Sequence, residues 1–250
     1  MKTFRIGVMI VAAVGVLGAN VFAQRMGGPG NLGTAEMAKI FGKNQAFTAT
    51  ADMTVADSQH GGPVEMESNY AFLNGNVRID MNLASMKGGG MSPQAAAQMK
   101  QMGMDQMSTI YRGDKGSTYM VYPGMKSYCE MSPGGQQTNT TEKPPKIETA
   151  AQGTETIDGH VCTKNLITIT EDDGTKHVMT AWQAKDLNDF PIKTEMHEGT
   201  TSINTHFSNI KLSAPDASLF NPPADYKQYS NIQEMMMGNM SRMMPQGMGH

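Results

Sequence analysis

The sequence predicts a mainly β protein: a curved antiparallel sheet, or half-open barrel, with one or two covering helices. Three observations point there. Short runs of alternating apolar and polar residues recur from Gln45 onward, joined by turn pairs such as Asn74-Gly75, Asp158-Gly159 and Asp173-Gly174. Such pairs readily take the positive φ angles of tight hairpins. Strands and helices do not alternate regularly, as a parallel α/β sheet requires. Only residues 34–41, residues 92–107 and the C-terminal tail read as helical, and these alone are available to cover a long apolar sheet face.

The chain opens MKTFRIGVMIVAAVGVLGANVFAQ. Lys2 and Arg5 precede an apolar run from Ile6 to Ala19, and Val21-Phe22-Ala23 places small residues at the two positions that govern cleavage. This is the pattern of a secretory signal peptide over residues 1–23, cut near Ala23. Its apolar run of about 14 residues falls short of the roughly 20 that span a bilayer as a helix; an uncleaved anchor is the alternative. The expected location is the periplasm or another extracytoplasmic space, with no transmembrane segment after cleavage and no cysteine near the cut to lipidate.

Residues 24–44 form a glycine-rich leader and a short helix, capped by Thr34 and ended by Gly42. Residues 45–230 carry the β domain. FTATADMTV alternates, and VEMESNYAFLNGNVRIDMNLA is two alternating runs around Asn74-Gly75, the clearest local signal in the chain. MKGGGMSPQAAAQMKQMGMDQM interrupts: a glycine hinge, Ser92 and Pro93 as cap and first-turn pair, then helix from Gln94 to Met107. Strands resume at STIYRGDKGSTYMVYPGMKSYCEM, turning at 113–116 and at Pro123-Gly124. SPGGQQTNTTEKPP has little to bury and reads as a loop. Thr-, Val- and Ile-rich strands then run to about Ser213, with a turn near Glu198-Gly199. The tail, residues 231–250, suggests a helix from about Ile232 to Met244, weakened by Gly238.

Of 250 residues, 25 are methionine and 6% aromatic, so thioethers stand where Leu and Phe usually fill apolar places. Two clusters stand out: MKQMGMDQM at 99–107, and EMMMGNMSRMMPQGMGH from Glu234 to the end. The formal charge of −3 becomes −5 without Lys2 and Arg5, the only charges in residues 1–23. Mild, unclustered acidity argues against a nucleic-acid partner. Cys129 and Cys162 are the two cysteines. In an oxidising compartment a disulfide between them is the default expectation, worth roughly 3–4 kcal/mol for a loop of this length. Two unpaired buried thiols are the alternative.

In the second half, TETIDGHVCTKNLITI, WQAKDLNDFPIKTEM and FSNIKLSAPDASLFNPPADYK follow one another, with YMVYPGMKSYCEM upstream. Together, over roughly residues 46–228, they resemble an exported bacterial family of unknown function whose fold is similar to that of LolA/LolB-type lipoprotein carriers. The resemblance implies a half-open antiparallel barrel around a hydrophobic concavity with helices as a lid. It transfers no binding residue. Applied here, it makes 94–107 the lid and strands such as 119–131 and 192–196 the wall.

No GxSxG, HExxH or GxxxxGK[ST] motif occurs, and Asp172-Asp173 reads as a solvated turn, so no catalytic residue, no cofactor and no enzymatic activity are expected. His160, Cys162 and, from a partner strand, His177 form a conceivable zinc set that lacks the spacing of known zinc motifs. The candidate ligand-binding residues are Met99, Met102, Met107, Tyr119, Val121, Trp182 and Met196. Trp182 belongs either on the concave face or in the ordinary core. The expected function is binding of an apolar or amphipathic ligand, a lipid or acyl chain, in a sheet concavity closed by a Met-rich lid; envelope proteins are a second class of partner. The alternative from another class is Cu(I) binding or an oxidant sink, with Met235, Met236, Met237, Met240, Met243 and Met244 as soft thioether ligands. Methionine's flexibility as an apolar filler explains both the clusters and the methionines scattered through the strands. A third reading is a structural envelope protein whose cavity is filled by its own side chains.

Overall fold

The computed structural model describes residues 40–41, 43–57, 62–88, 92–131, 146–170 and 174–243. The expected signal peptide and nearly all of the leader helix lie outside these residues. The first elements are β1 (Ala46–Asp57), β2 (Val64–Leu73), β3 (Asn76–Asn82), the two-residue β4 (Lys87–Gly88) and helix α1 (Pro93–Gln101). Then come β5 (Gln106–Arg112), β6 (Ser117–Tyr122), β7 (Ser127–Met131), β8 (Lys146–Ile157) and β9 (His160–Thr170). The chain continues through β10 (Lys176–Ala184), β11 (Phe190–Glu198), β12 (Thr201–Lys211), β13 (Lys227–Tyr229) and helix α2 (Ile232–Met243).

The strands form one 13-stranded sheet in the order β13-β7-β6-β5-β3-β2-β1-β12-β11-β10-β9-β8, with β4 beside β2. Neighbours are antiparallel except β13, which runs parallel to β7. The sheet is curved and open, as the alternation and turn pairs predict. Asn74 (φ 49) with Gly75 (φ 85), and Asp158 (φ 51) with Gly159 (φ 84), supply the expected hairpin turns. Asn188 (φ 54) and Asp189 (φ 62) turn β10 into β11 without any glycine.

Residues opposite one another in neighbouring strands share a face. Register sets Tyr111, Val77, Phe72 and Phe47 in one row, and Met107, Met81, Ser68, Ala51 and Phe207 in another. This face carries the two helices. Its centre is an aromatic cluster in which Phe47, Phe72, Phe190 and Phe207 are all buried, with Phe41 packed on them. Ring centroids of Phe47 and Phe190 stand 4.9 Å apart, edge to face. To one side Ile40, Met53, Ile167, Met179, Met196 and Ile203 form an aliphatic cluster. To the other lies a methionine cluster under α1 and α2.

The opposite face is covered more thinly. The short helical turn Ala217–Phe220 lays Phe220 over Ala71, Ile110 and Val121. Trp182 packs with Cys162, Ala184 and Ile192. Its ring is roofed by Lys164 and Lys193, whose ammonium groups sit 4.9 and 4.6 Å from the ring centroid. No helix among the described residues is long and apolar enough to cross a membrane.

Candidate functional site

The start of α1 follows from its sequence. Ser92 Oγ accepts a hydrogen bond from the Ala95 amide at 3.1 Å, and Pro93 occupies the first turn. The helix stops at Gln101, six residues before the expected end. Gly103 takes φ +68, its amide bonds Lys100 O at 3.0 Å, and the Met104 amide bonds Met99 O at 2.9 Å. This is a glycine-capped helix end. Side-chain bulk is excluded as well: a Cβ on Gly103 would lie 2.7 Å from the backbone of Gly124. Met107 therefore belongs to β5, not to the helix.

Helix α2 is seated in a similarly local way. Asn231 Oδ1 accepts from the Glu234 amide at 2.8 Å. Gly238 lies against the Tyr229 ring, 2.7 Å from where a Cβ would be, so the glycine that weakens the helix on paper permits its docking. Asn239 Nδ2, on a buried side chain, donates to Ser127 Oγ at 3.3 Å and to Met235 O at 2.8 Å.

Between these helices and β3, β5, β6 and β7, Met99, Met107, Met125 and Met235 are buried together with Leu83, Tyr122 and Cys129. Met81, Met86, Met104, Met120 and Met236 pack against them. Both methionine clusters of the sequence thus reach one place, and methionines from β3 and β6 join them. Burial pushes the Tyr122 hydroxyl up to about 12, with neighbouring Cys129 adding to it. Burial also pushes the Cys129 thiol up, so it stays protonated rather than presenting a reactive thiolate. The Tyr229 hydroxyl is buried with no hydrogen-bond partner among the described residues.

The predicted site residues do not converge on one spot. Met99 and Met107 enter the methionine cluster, whereas Met102 caps α1 outside it. Met196 is on the helix face but in the aliphatic cluster. Val121 and Tyr119 belong to the cluster under Phe220 on the opposite face, and Trp182 is also on that side, buried as a core residue. Alternation along β6 explains the split: Met120 faces the helices, so Tyr119 and Val121 must face away.

One further expectation, the disulfide, is corrected, and the structure bears on the two metal alternatives. Cys129 and Cys162 are both free and buried, on β7 and β9 near opposite ends of the strand order and in separate clusters. His177 pairs with Ile169, while Cys162 pairs with Ala184 at the far end of the same ladder, so the zinc set does not assemble. Among the described residues no group of three or more His, Cys, Asp or Glu side chains is placed to hold a metal. Of the proposed thioether ligands, Met235 is fully buried, Met236 half-buried and Met237 62% exposed. Consecutive helical residues diverge by about 100°, so these three do not meet at one metal ion. Met244 and the side chains of Met240 and Met243 lie outside what is described.

The family described as Domain of unknown function (DUF4412) matches residues 47–190. The chain belongs to that family. The DUF4412 segment runs from the start of β1 to the first residue of β11, and so contains α1 and most of the methionine cluster but neither β12 nor α2. No curated protein matches the sequence. Among solved structures, the chain is similar to the Mycobacterium tuberculosis lipoprotein LppX at 14% identity, covering 65% of this chain and 85% of that one with a TM-score of 0.33. A LolA superfamily protein from Nitrosomonas europaea is 11% identical, covering 73% and 93%, with a TM-score of 0.36. LprF from Mycobacterium bovis is 14% identical, covering 72% and 90%, with a TM-score of 0.35.

Proposed function

We propose that this DUF4412 protein is an extracytoplasmic binding protein, not an enzyme, and that it takes an acyl chain between its sheet and helices α1 and α2. The observation that carries the proposal is the methionine cluster itself. Nine thioether side chains from sheet, turns and both helices pack together beneath the helices, beside Tyr229, whose buried hydroxyl has no hydrogen-bond partner among the described residues. Methionine is unbranched and changes rotamer easily, so it fills the space when empty and moves aside for a ligand. Exchange is close to balanced: each acyl methylene buried contributes about 0.8 kcal/mol, offsetting thioether contacts given up. An orphaned buried hydroxyl costs about 1–3 kcal/mol, and a carboxyl or ester oxygen arriving at Tyr229 would remove that penalty.

Among the described residues the methionine and aromatic side chains of the helix face pack against one another, so uptake beneath α1 or α2 requires the helix to lift. The expected export and cleavage near Ala23 place the mature chain among envelope lipids. Native mass spectrometry of the exported protein should show a bound lipid, and a fluorescent fatty acid should bind saturably. Replacing the α1 segment with a short Gly-Ser linker should abolish both. A bare protein that takes up no acyl probe would overturn the reading.

Tyr229→Phe gives a finer measurement. It should weaken fatty-acid binding about tenfold, the equivalent of roughly 1.4 kcal/mol, and leave binding of an alkane probe unchanged. Equal losses for both probes would show that the hydroxyl serves packing alone.

A further inference from the structure

A second site lies away from the methionine cluster. The ladder between β11 and β12 ends at Lys193 opposite His206. Beyond that pair the two strands part, each still bonded to its outer neighbour. Both carry an extra residue in the parted region. Ile192 is the unpaired residue of β11, skipped between Trp182–Lys193 and Gln183–Pro191. On β12, Asn209 and Ile210 together face the single residue Ala49. Bulges re-aim side chains and break a ladder locally, a device common beside binding sites.

The parted strands open into a cavity of about 270 Å³. Leu187, Ile192, Phe207 and Ile210 form its apolar wall. Asp158, His160, Ser208 and Asn209 form its polar rim. Two contacts hold the rim in place: His160 Nδ1 lies 2.6 Å from Asp186 Oδ2, and His206 Nε2 lies 2.6 Å from Asp158 Oδ2. Asp158 and Asn209 have φ of 51°, and Asn188 and Asp189, just after Leu187, have 54° and 62°. Asp158 and Asn209 themselves line the cavity.

From this geometry we infer a binding site for a small organic amine: one ring or short branched chain bearing a protonated nitrogen. Size sets the body. A cavity of about 150 Å³ lined with apolar side chains accommodates benzene, and this one is larger. Charge sets the head. The lining holds a carboxylate, Asp158, but no lysine or arginine. A cation gains from the carboxylate, whereas an anion meets Asp158 directly. The bulged backbone and the Ser208 hydroxyl add acceptors for the remaining ammonium protons.

Amide chemical shifts of the ¹⁵N-labelled full chain, titrated with benzylamine and separately with benzoate, test the inference. Benzylamine should shift Ser208, Asn209, Ile210 and His160 saturably in the millimolar range, and benzoate should bind at least tenfold more weakly. Ser208→Phe, a half-buried rim position, should block the mouth and abolish the shifts; Asp158→Asn should weaken benzylamine and bring benzoate level with it. Shifts that fail to saturate, or that survive Ser208→Phe, overturn the site. Equal binding of both probes to the unaltered chain overturns the amine assignment.

Discussion

Tyr122 shows how one side chain reports on the methionine cluster. Burial holds its hydroxyl protonated to about 12, against about 10 in an unfolded chain. The folded value is the higher one, so the stability it contributes is complete below about pH 10 and is lost as pH rises through 12. That difference is on the order of 2–3 kcal/mol. Tyr70, also pushed up to about 12 by burial and partly relieved by its hydrogen bond with Ser68, loses stability over the same window. Urea unfolding between pH 9 and pH 12 should therefore show a steep alkaline decline, and Tyr122→Phe should make it shallower; an unchanged slope would remove Tyr122 from the account. At the same scale, the sequence showed which residues were chemically unusual but not where their side chains pointed. Met99 and Met107 were legible because they sat in a dense cluster. Met81 and Met120 were not, although the Asn74-Gly75 hairpin fixes Met81 opposite Ser68, and a strand register carried one step further would have set it beside Met107.

Among the elements, the Asn74-Gly75 and Asp158-Gly159 hairpins were read correctly, because backbone geometry there is a local property. The turn at Asn188 and Asp189 has no glycine, and nothing local announces it. Helix α1 was overextended for the opposite reason: the methionine spacing continues past Gln101, but Gly103 ends the helix through its left-handed backbone and its approach to Gly124. Gly103→Ala must meet both a left-handed φ and a backbone clash, and should lower stability by about 3 kcal/mol in urea unfolding. Gly238→Ala is more telling. In an exposed helix it would stabilise by about 1 kcal/mol, whereas here the new methyl meets the Tyr229 ring. Unfolding midpoints should show no gain, and α2 amides should exchange with deuterium faster than in the unaltered chain. A midpoint raised by the full helix-propensity increment would mean that the Tyr229 contact does not constrain α2.

At the level of the molecule, the open antiparallel sheet was legible from alternation and turn order, but the pairing of distant strands was not. That gap produced the disulfide expectation. Two cysteines in a chain expected to be exported invite a bridge, and only the strand order shows that β7 and β9 keep them apart. Reductant should therefore leave the melting temperature unchanged. Two thiols should titrate after denaturation and neither before it, since both side chains are fully buried. A melting temperature that falls on reduction would contradict the separation.

The central strand carries one more consequence, in time rather than in space. Ala51 of β1 is flanked by Ser68 on one side and by Phe207 on the other. The first neighbour arrives within the same hairpin, while the second belongs to β12, far along the chain. Contacts so remote along the chain close slowly. A chain delivered from its N-terminus must hold Phe47, Ala49 and Ala51 beside a bare strand edge until β12 emerges, an interval in which a chaperone has something definite to protect.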